Sequence, residues 1–272
     1  MSKPLLRLGS SGEDVLEVER ILIDQGYGFG ELIDDGDFDE FLEDCVTYFQ
    51  MTHVKEDGEA LDVDGVVGND TWWALYNHSG APQRNYYEPY IPQGIGGNRE
   101  VILKLALAEH GIGVKEEPNG SNWGDGVIKY GGQPGWAWCC LFASWVIKHA
   151  MTGYPLGKRF ASCYRNWQAA NEAGFTKRGN PIPGDQFIML YTNSKGHLNG
   201  KGHTGFVLAV SEDGEWINTI EGNAGNRVKV GKRPTSQIYG YIDWYGRMNE
   251  DLPVDWKRGL VGASSTAADT TR

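Results

Sequence analysis

The chain has 272 residues, 40% of them apolar, and a formal net charge of −11. That length suits two compact domains better than one small core, and no apolar run approaches the roughly 18 residues of a membrane span, so no membrane insertion is expected. The charge is lopsided: residues 1–80 hold 19 Asp and Glu against 4 Lys and Arg, whereas residues 81–272 hold 17 against 21, which argues against nucleic acid as a partner of the acidic part.

The opening MSKPLLRLGSSGED has neither an apolar core nor a small-residue cleavage site. The expectation is therefore synthesis in the cytoplasm without a signal peptide. Three short helices follow. Ser10 or Ser11 can cap one opening at Glu13, with Val15, Val18, Ile21 and Leu22 at helical spacing. A Gly-Asp turn at 36–37 precedes a second, with Phe38, Phe41, Leu42, Cys45, Val46 and Phe49 on one face. DVDGVVGND is a turn, and Asn69 or Asp70 caps a third helix through Trp72, Trp73 and Leu75. By periodicity alone this is a small helical bundle, with or without a ligand.

The order LRLGSSGEDV, GY at 26–27, GDF at 36–38, FQ at 49–50 and DGVVGNDTWWAL at 64–75 resembles the peptidoglycan-binding domain type 1 family. The resemblance implies a three-helix wall-anchoring module over residues 1–80, with bacterial peptidoglycan as partner. The acidic stretch HVKEDGEALDVD lengthens its second loop.

Residues 81–97 read as a linker by their Pro and Gly content, and residues 249–272 as a polar, partly disordered tail. Residues 98–248 form a second domain. REVILKLALAEHGI, WCCLFASWVIKHA and ASCYRNWQAANEAG read as helices. After PIPGDQFIML come strands in GHTGFVLAVS, EWINTIEG, NRVKV and IYGYIDW, with a turn at 213–214. Helices first and strands after is the pattern of an α+β fold with an antiparallel sheet.

Four cysteines stand at 45, 139, 140 and 163 with no CxxC pair and no zinc-ligand spacing, so all four read as thiols. Cys139 sits at a helix start after the structure-breaking GGQPG, where the partial positive charge of the helix terminus favours a thiolate. A thiol in an apolar helix is more often a core residue, so the partners matter. His203 opens a strand between glycines in GHTG. Glu221 closes the next strand, and a carboxylate there needs a partner. A hairpin places His203 and Glu221 side by side. Asn223 can play the orienting part or hold a substrate carbonyl.

SNWGDGVIKY, PGWAWCCLFASW, PIPGDQFIML, GHTGFVLAV and TIEGNAGNRV, in that order, resemble the CHAP family of cysteine amidohydrolases and peptidases. The resemblance implies a papain-like α+β fold and cleavage of a peptidoglycan amide bond. Its W-C-x-x-F pattern falls on Trp138, Cys139 and Phe142, which makes Cys139 the nucleophile, His203 the base and Glu221 the orienting group, with Asn223 beside it. Cys140, a helical step of about 100° away, becomes a small core residue, and Cys163 and Cys45 become structural. Gln133 is a candidate oxyanion donor, and Asn122, Trp136 and Trp138 are candidates to line the substrate groove. Some members hold calcium on an Asp-rich loop before the cysteine. Asp125 alone in that stretch is too little for a site, so neither metal nor cofactor is expected.

The expectation is a monomeric endolysin released by a holin-type pore to act in the periplasm or cell wall. A delivered antibacterial effector of the same chemistry and a non-catalytic wall-binding protein are the alternatives. A redox thiol is disfavoured by the lack of a CxxC partner.

Overall fold

The structure, a computed structural model, describes residues 3–28, 32–59, 61–77, 91, 95, 97–151 and 153–245. Most of the expected linker and the whole tail 249–272 lie outside them. The chain divides into two compact units, Met1–Glu88 with Leu107–Ile112, and Pro89–Ala106 with Gly113–Arg272.

The first unit contains α1 (Glu13–Asp24), α2 (Glu40–Thr52) and α3 (Asn69–Asn77). In α1 the buried residues are Val15, Val18, Glu19 and Leu22, one stripe of a 3.6-residue period. Neither serine caps it. Gly12 is the N-cap residue, with φ 114° and no side-chain cap, because the backbone there is committed to Gly36, whose carbonyl accepts the Gly12 N–H at 2.8 Å. Asp39 caps α2 by accepting the Leu42 N–H at 2.8 Å, so Phe38 lies just ahead of the helix while remaining buried. α3 begins at Asn69, which puts Asn69 and Asp70 in its first turn rather than ahead of it.

The Phe-Gln and Asp-Gly motifs turn out to be one device. Gln50, 1% exposed, accepts the N–H groups of Asp64 at 3.0 Å and Gly65 at 2.9 Å through Oε1. Its Nε2 donates to Asp64 Oδ1 and the Val66 carbonyl, both at 2.9 Å, and to Thr71 at 3.2 Å. One amide thus satisfies a turn that has no sheet to bond with.

The second unit contains α4 (Gly97–Ile112, up to Ala106), the short α5 (Asp125–Ile128), α6 (Cys139–Ala150) and α7 (Cys163–Glu172). Its six strands are β1 (Thr176–Lys177), β2 (Gln186–Thr192), β3 (Leu198–Val210), β4 (Trp216–Glu221), β5 (Lys229–Pro234) and β6 (Gly240–Ile242). They form one antiparallel sheet in the order β1-β6-β2-β3-β4-β5. The fold is α+β: a helical N-terminal part followed by helices and an antiparallel sheet. β2 begins inside QFIML, a strand that the sequence pattern did not separate from its turn.

α6 is the central helix. Ten of its twelve residues are buried, and it packs with α7 against β3. A helix apolar on nearly all sides belongs in a core. Its first residue is therefore held rigidly, a property a site needs. The Gly-Asp pair before β2 anchors the other side. Asp185 is fully buried, accepts the Ile182 N–H at 2.9 Å, and pairs with Arg99 at 3.0 Å and Lys177 at 2.7 Å. Burial pushes its carboxyl up to about 6, against the pull of Lys177 and Arg99.

Replacing Gln50 with Ala leaves the buried Gly65 N–H and the part-buried Asp64 N–H without their acceptor. We expect a loss of about 2–3 kcal/mol of stability in the first unit. Hydrogen exchange at residues 64–66 in the full chain measures it, and wild-type protection in the variant would contradict this account.

Candidate active site

The site is assembled from two helix starts and two adjacent strands. Cys139 opens α6 and is 4% exposed, His203 lies on β3 at 2%, and Glu221 ends β4 at 1%. His203 does not open its strand as expected. β3 starts five residues earlier, at Leu198, and His203 pairs with Met189 of β2. Residues 198–201, ahead of GHTG, are already strand, because their backbone continues the ladder to Thr192.

The two glycines of GHTG make the geometry possible. A side chain at Gly205 would collide with the Ile220 carbonyl and Glu221, so its absence lets β3 and β4 close beside the carboxylate. A side chain at Gly202 would collide with the Met189 carbonyl and meet Cys163 Cβ at 3.1 Å. Glycine there lets the start of α7 settle against β3 next to His203.

His203 Nε2 lies 2.7 Å from Glu221 Oε2. That leaves Nδ1 as the nitrogen available to the Cys139 thiol, with which the imidazole interacts. Glu221 has further partners that the sequence did not reveal. Arg233 on β5 donates from Nε to Oε1 at 2.9 Å and from Nη2 to Oε2 at 2.5 Å, and Thr219 donates to Oε1 at 2.5 Å. No local motif marks Arg233. Its signal is register: it pairs with Ile217 on β4, a strand that also carries the carboxylate, and only the folded sheet shows that.

The four groups alternate in charge when the thiol is ionised: thiolate, imidazolium, carboxylate, guanidinium. With the proton on sulfur the row is neutral thiol, neutral imidazole, carboxylate and guanidinium. The two states carry the same net charge, so one proton can move between Cys139 and His203 without leaving an unbalanced charge in a buried place. Burial pushes Glu221 toward protonation, but Arg233 and then His203 hold its carboxyl far below the usual range. Burial likewise disfavours imidazolium, yet the hydrogen bonds with Cys139 and Glu221 push His203 up to about 9. Cys139 is pulled both ways. The neighbouring Cys163 and burial raise it well above an ordinary thiol, while His203 lowers it. The opposing pulls meet on one proton shared between Cys139 and His203, and His203 is the group that draws it from the sulfur.

The remaining candidates divide. Asn223 is not the orienting group. Its φ is 56°, and among the described residues none of its hydrogen bonds runs to His203. In the orientation that suits its neighbours, its amide donates to Glu116 Oε1 at 3.0 Å and accepts the Trp138 N–H at 3.2 Å. Asn223 thereby ties the end of β4 to the backbone entering α6. Trp138 is 1% exposed, stacks on Tyr130 and donates Nε1 to Glu116 at 2.9 Å, so it is a packing residue rather than part of an open groove. Asn122 donates its N–H to the same Glu116 at 2.9 Å and meets Asn223 at 2.8 Å. Glu116, missed in the sequence, is thus the buried hub for three of the expected residues. Trp136 is 50% exposed and open to a ligand. Gln133 is exposed and its side chain makes no hydrogen bond among the described residues; its carbonyl closes a turn by accepting the Trp136 N–H at 3.0 Å. All four cysteines are buried thiols outside any disulfide. Cys140 packs in the core as expected. Cys163 does not stand apart from the site: its sulfur lies 4.0 Å from that of Cys139. Among the described residues no group of three or more His, Cys, Asp or Glu could hold a metal ion.

Because Glu221 is one of the groups holding His203 up to about 9, Glu221→Gln is expected to lower the imidazole titration midpoint by roughly one unit or more. Side-chain nuclear magnetic resonance of His203 reads this directly, and an unmoved midpoint would break the proposed row.

Two family models match the chain. Residues 128–223 match the CHAP domain, a stretch containing Cys139, His203, Glu221 and Asn223. Residues 11–75 match the putative peptidoglycan binding domain, which spans all of α1 and α2 and most of α3. No curated protein and no solved structure matches. Asn122, Glu116 and Arg233 fall outside both matched stretches. The chain therefore carries a CHAP domain, a cysteine- and histidine-dependent amidohydrolase or peptidase domain acting on peptidoglycan, and N-terminal to it a peptidoglycan-binding domain.

Proposed function

We propose that the protein cleaves an amide bond of peptidoglycan through a Cys139–His203–Glu221 thiol mechanism, and that it serves as a lytic enzyme held at its substrate by the N-terminal module. The observation that carries this reading is the buried line from the Cys139 thiol through His203 to Glu221, with the 2.7 Å contact between the last two.

In this reading His203 takes the thiol proton on Nδ1 as Cys139 attacks the amide carbonyl. The backbone N–H groups at the start of α6 point toward the developing oxyanion. The helix termini that leave such groups free are natural anion sites. His203 then gives its proton to the leaving amine, and water releases the acyl group from Cys139. Glu221 keeps the imidazole in one tautomer and offsets its positive charge. Arg233 and Glu116 are positioning residues: one holds Glu221, the other holds the segment that leads into α6. Trp136, exposed just ahead of the nucleophile, is the side chain best placed to meet a substrate. Production in the cytoplasm and release through a holin-type pore fit a lytic role, with action in the periplasm or cell wall.

Purified peptidoglycan treated with wild-type protein is expected to release fragments whose masses identify the amide bond. Cys139→Ala is expected to lower the rate by at least about 10³-fold while still sedimenting with the wall. Fragment release by the variant at the wild-type rate would overturn the assignment, and loss of sedimentation would show that the substitution had damaged more than the chemistry.

A further inference from the structure

The mechanism uses one of the thiols at the active site and leaves another beside it unused. Cys139 and Cys163 each open a helix, α6 and α7, and their sulfur atoms lie 4.0 Å apart. A disulfide needs about 2.05 Å, so the gap to be closed is about 2 Å, shared between two side chains. Cys163 is seated on β3, its Cβ against the bare backbone of Gly202, the residue before His203. Both residues are almost fully buried, at 4% and 5% exposure. Any route that brings a substrate carbonyl to Cys139 also admits a small oxidant. The CxxC pattern looks for a partner within the same helix turn; here the fold supplies it 24 residues away.

We propose that Cys139 and Cys163 are a reversible oxidation site in which a peroxide converts the catalytic thiol and its neighbour into a disulfide that switches hydrolysis off. The chemistry balances in two steps. The Cys139 thiolate attacks one peroxide oxygen, the O–O bond breaks, and the hydroxide that leaves takes the proton from His203 to become water. The sulfur is now a sulfenic acid, oxidised by two electrons. The Cys163 sulfur then attacks it, the S–O bond breaks, and hydroxide leaves as water with the Cys163 proton. In sum, two thiols and one hydrogen peroxide give one disulfide and two waters. A dithiol reductant reverses it by exchange. Cys163 also shields Cys139 from the irreversible steps beyond sulfenic acid, because it captures the intermediate first.

The effect on hydrolysis rests on the proposed thiol mechanism, but the cross-link does not, and the test separates them. Full-length Cys140→Ser removes ambiguity over which adjacent thiol reacts. After one equivalent of hydrogen peroxide, its digest is expected to contain a peptide joining Cys139 to Cys163, lighter by two hydrogens and separated by dithiothreitol. Peptidoglycan hydrolysis should fall at least roughly tenfold and return with the reductant. In Cys140→Ser with Cys163→Ser, at least two equivalents of hydrogen peroxide should carry Cys139 through sulfenic to sulfinic acid, and activity should not return. If Cys139 and Cys163 both remain free to alkylate after peroxide, or if Cys139 over-oxidises while Cys163 is present, the proposal is wrong. If the cross-link forms in a protein that never cleaved peptidoglycan, the pair stands and the hydrolase reading falls.

Discussion

The second unit is organised around a buried carboxylate. Glu221 sits at 1% exposure and would be costly there alone. Removing one partner of a buried ion pair typically costs about 3–5 kcal/mol. The fold satisfies it from three strands at once: His203 from β3, Thr219 from its own strand β4, and Arg233 from β5. The requirement runs in both directions. The carboxylate, with the Cys139 sulfur, favours the protonated imidazole against its burial, and the guanidinium keeps the carboxylate from protonating. Sheet register is thus a chemical constraint. A one-residue slip of β4 against either neighbour would turn Glu221 to the other face and leave charges without partners.

The thiol comes to this row from the other layer. α6 is buried almost throughout, which fixes where its first residue points, and α7 brings Cys163 against the same spot. Glu116 holds the approach to α6 by accepting from Trp138 Nε1 and the Asn122 N–H, and from Asn223. The nucleophile is therefore placed by packing from behind and by a polar clamp in front. Such doubly held groups suit chemistry that tolerates little misplacement. In the first unit Gln50 does the same kind of work for the turn before α3, where a single amide replaces a missing strand ladder.

The parts legible in the sequence were those written in local pattern. Helical spacing in EDVLEVERILID, the break at GGQPG and the hairpin distance between His203 and Glu221 led to α1, the start of α6 and the His203–Glu221 contact. The misses share a different character. Arg233, Glu116 and Cys163 act across 12, 22 and 24 residues, and nothing near them in the chain announces a partner. The N-cap of α1 was missed because a turn backbone, not a side chain, occupies it. Asn223 was read as a catalytic neighbour from its distance to Glu221 in the chain. Its side-chain amide donates to Glu116 instead. Trp138 was read as groove-lining because an exposed and a buried tryptophan look alike in sequence.

The central claim is that His203 ionises Cys139, and not its buried neighbours. The most direct measurement is site-resolved alkylation by iodoacetamide across pH 5–9, with mass spectrometry separating Cys45, Cys139, Cys140 and Cys163 in the wild type and in His203→Ala. The account predicts that Cys139 reacts fastest near neutral pH and loses at least roughly tenfold in rate without the imidazole. Faster labelling of Cys140 or Cys163, or a Cys139 rate indifferent to His203, would contradict it.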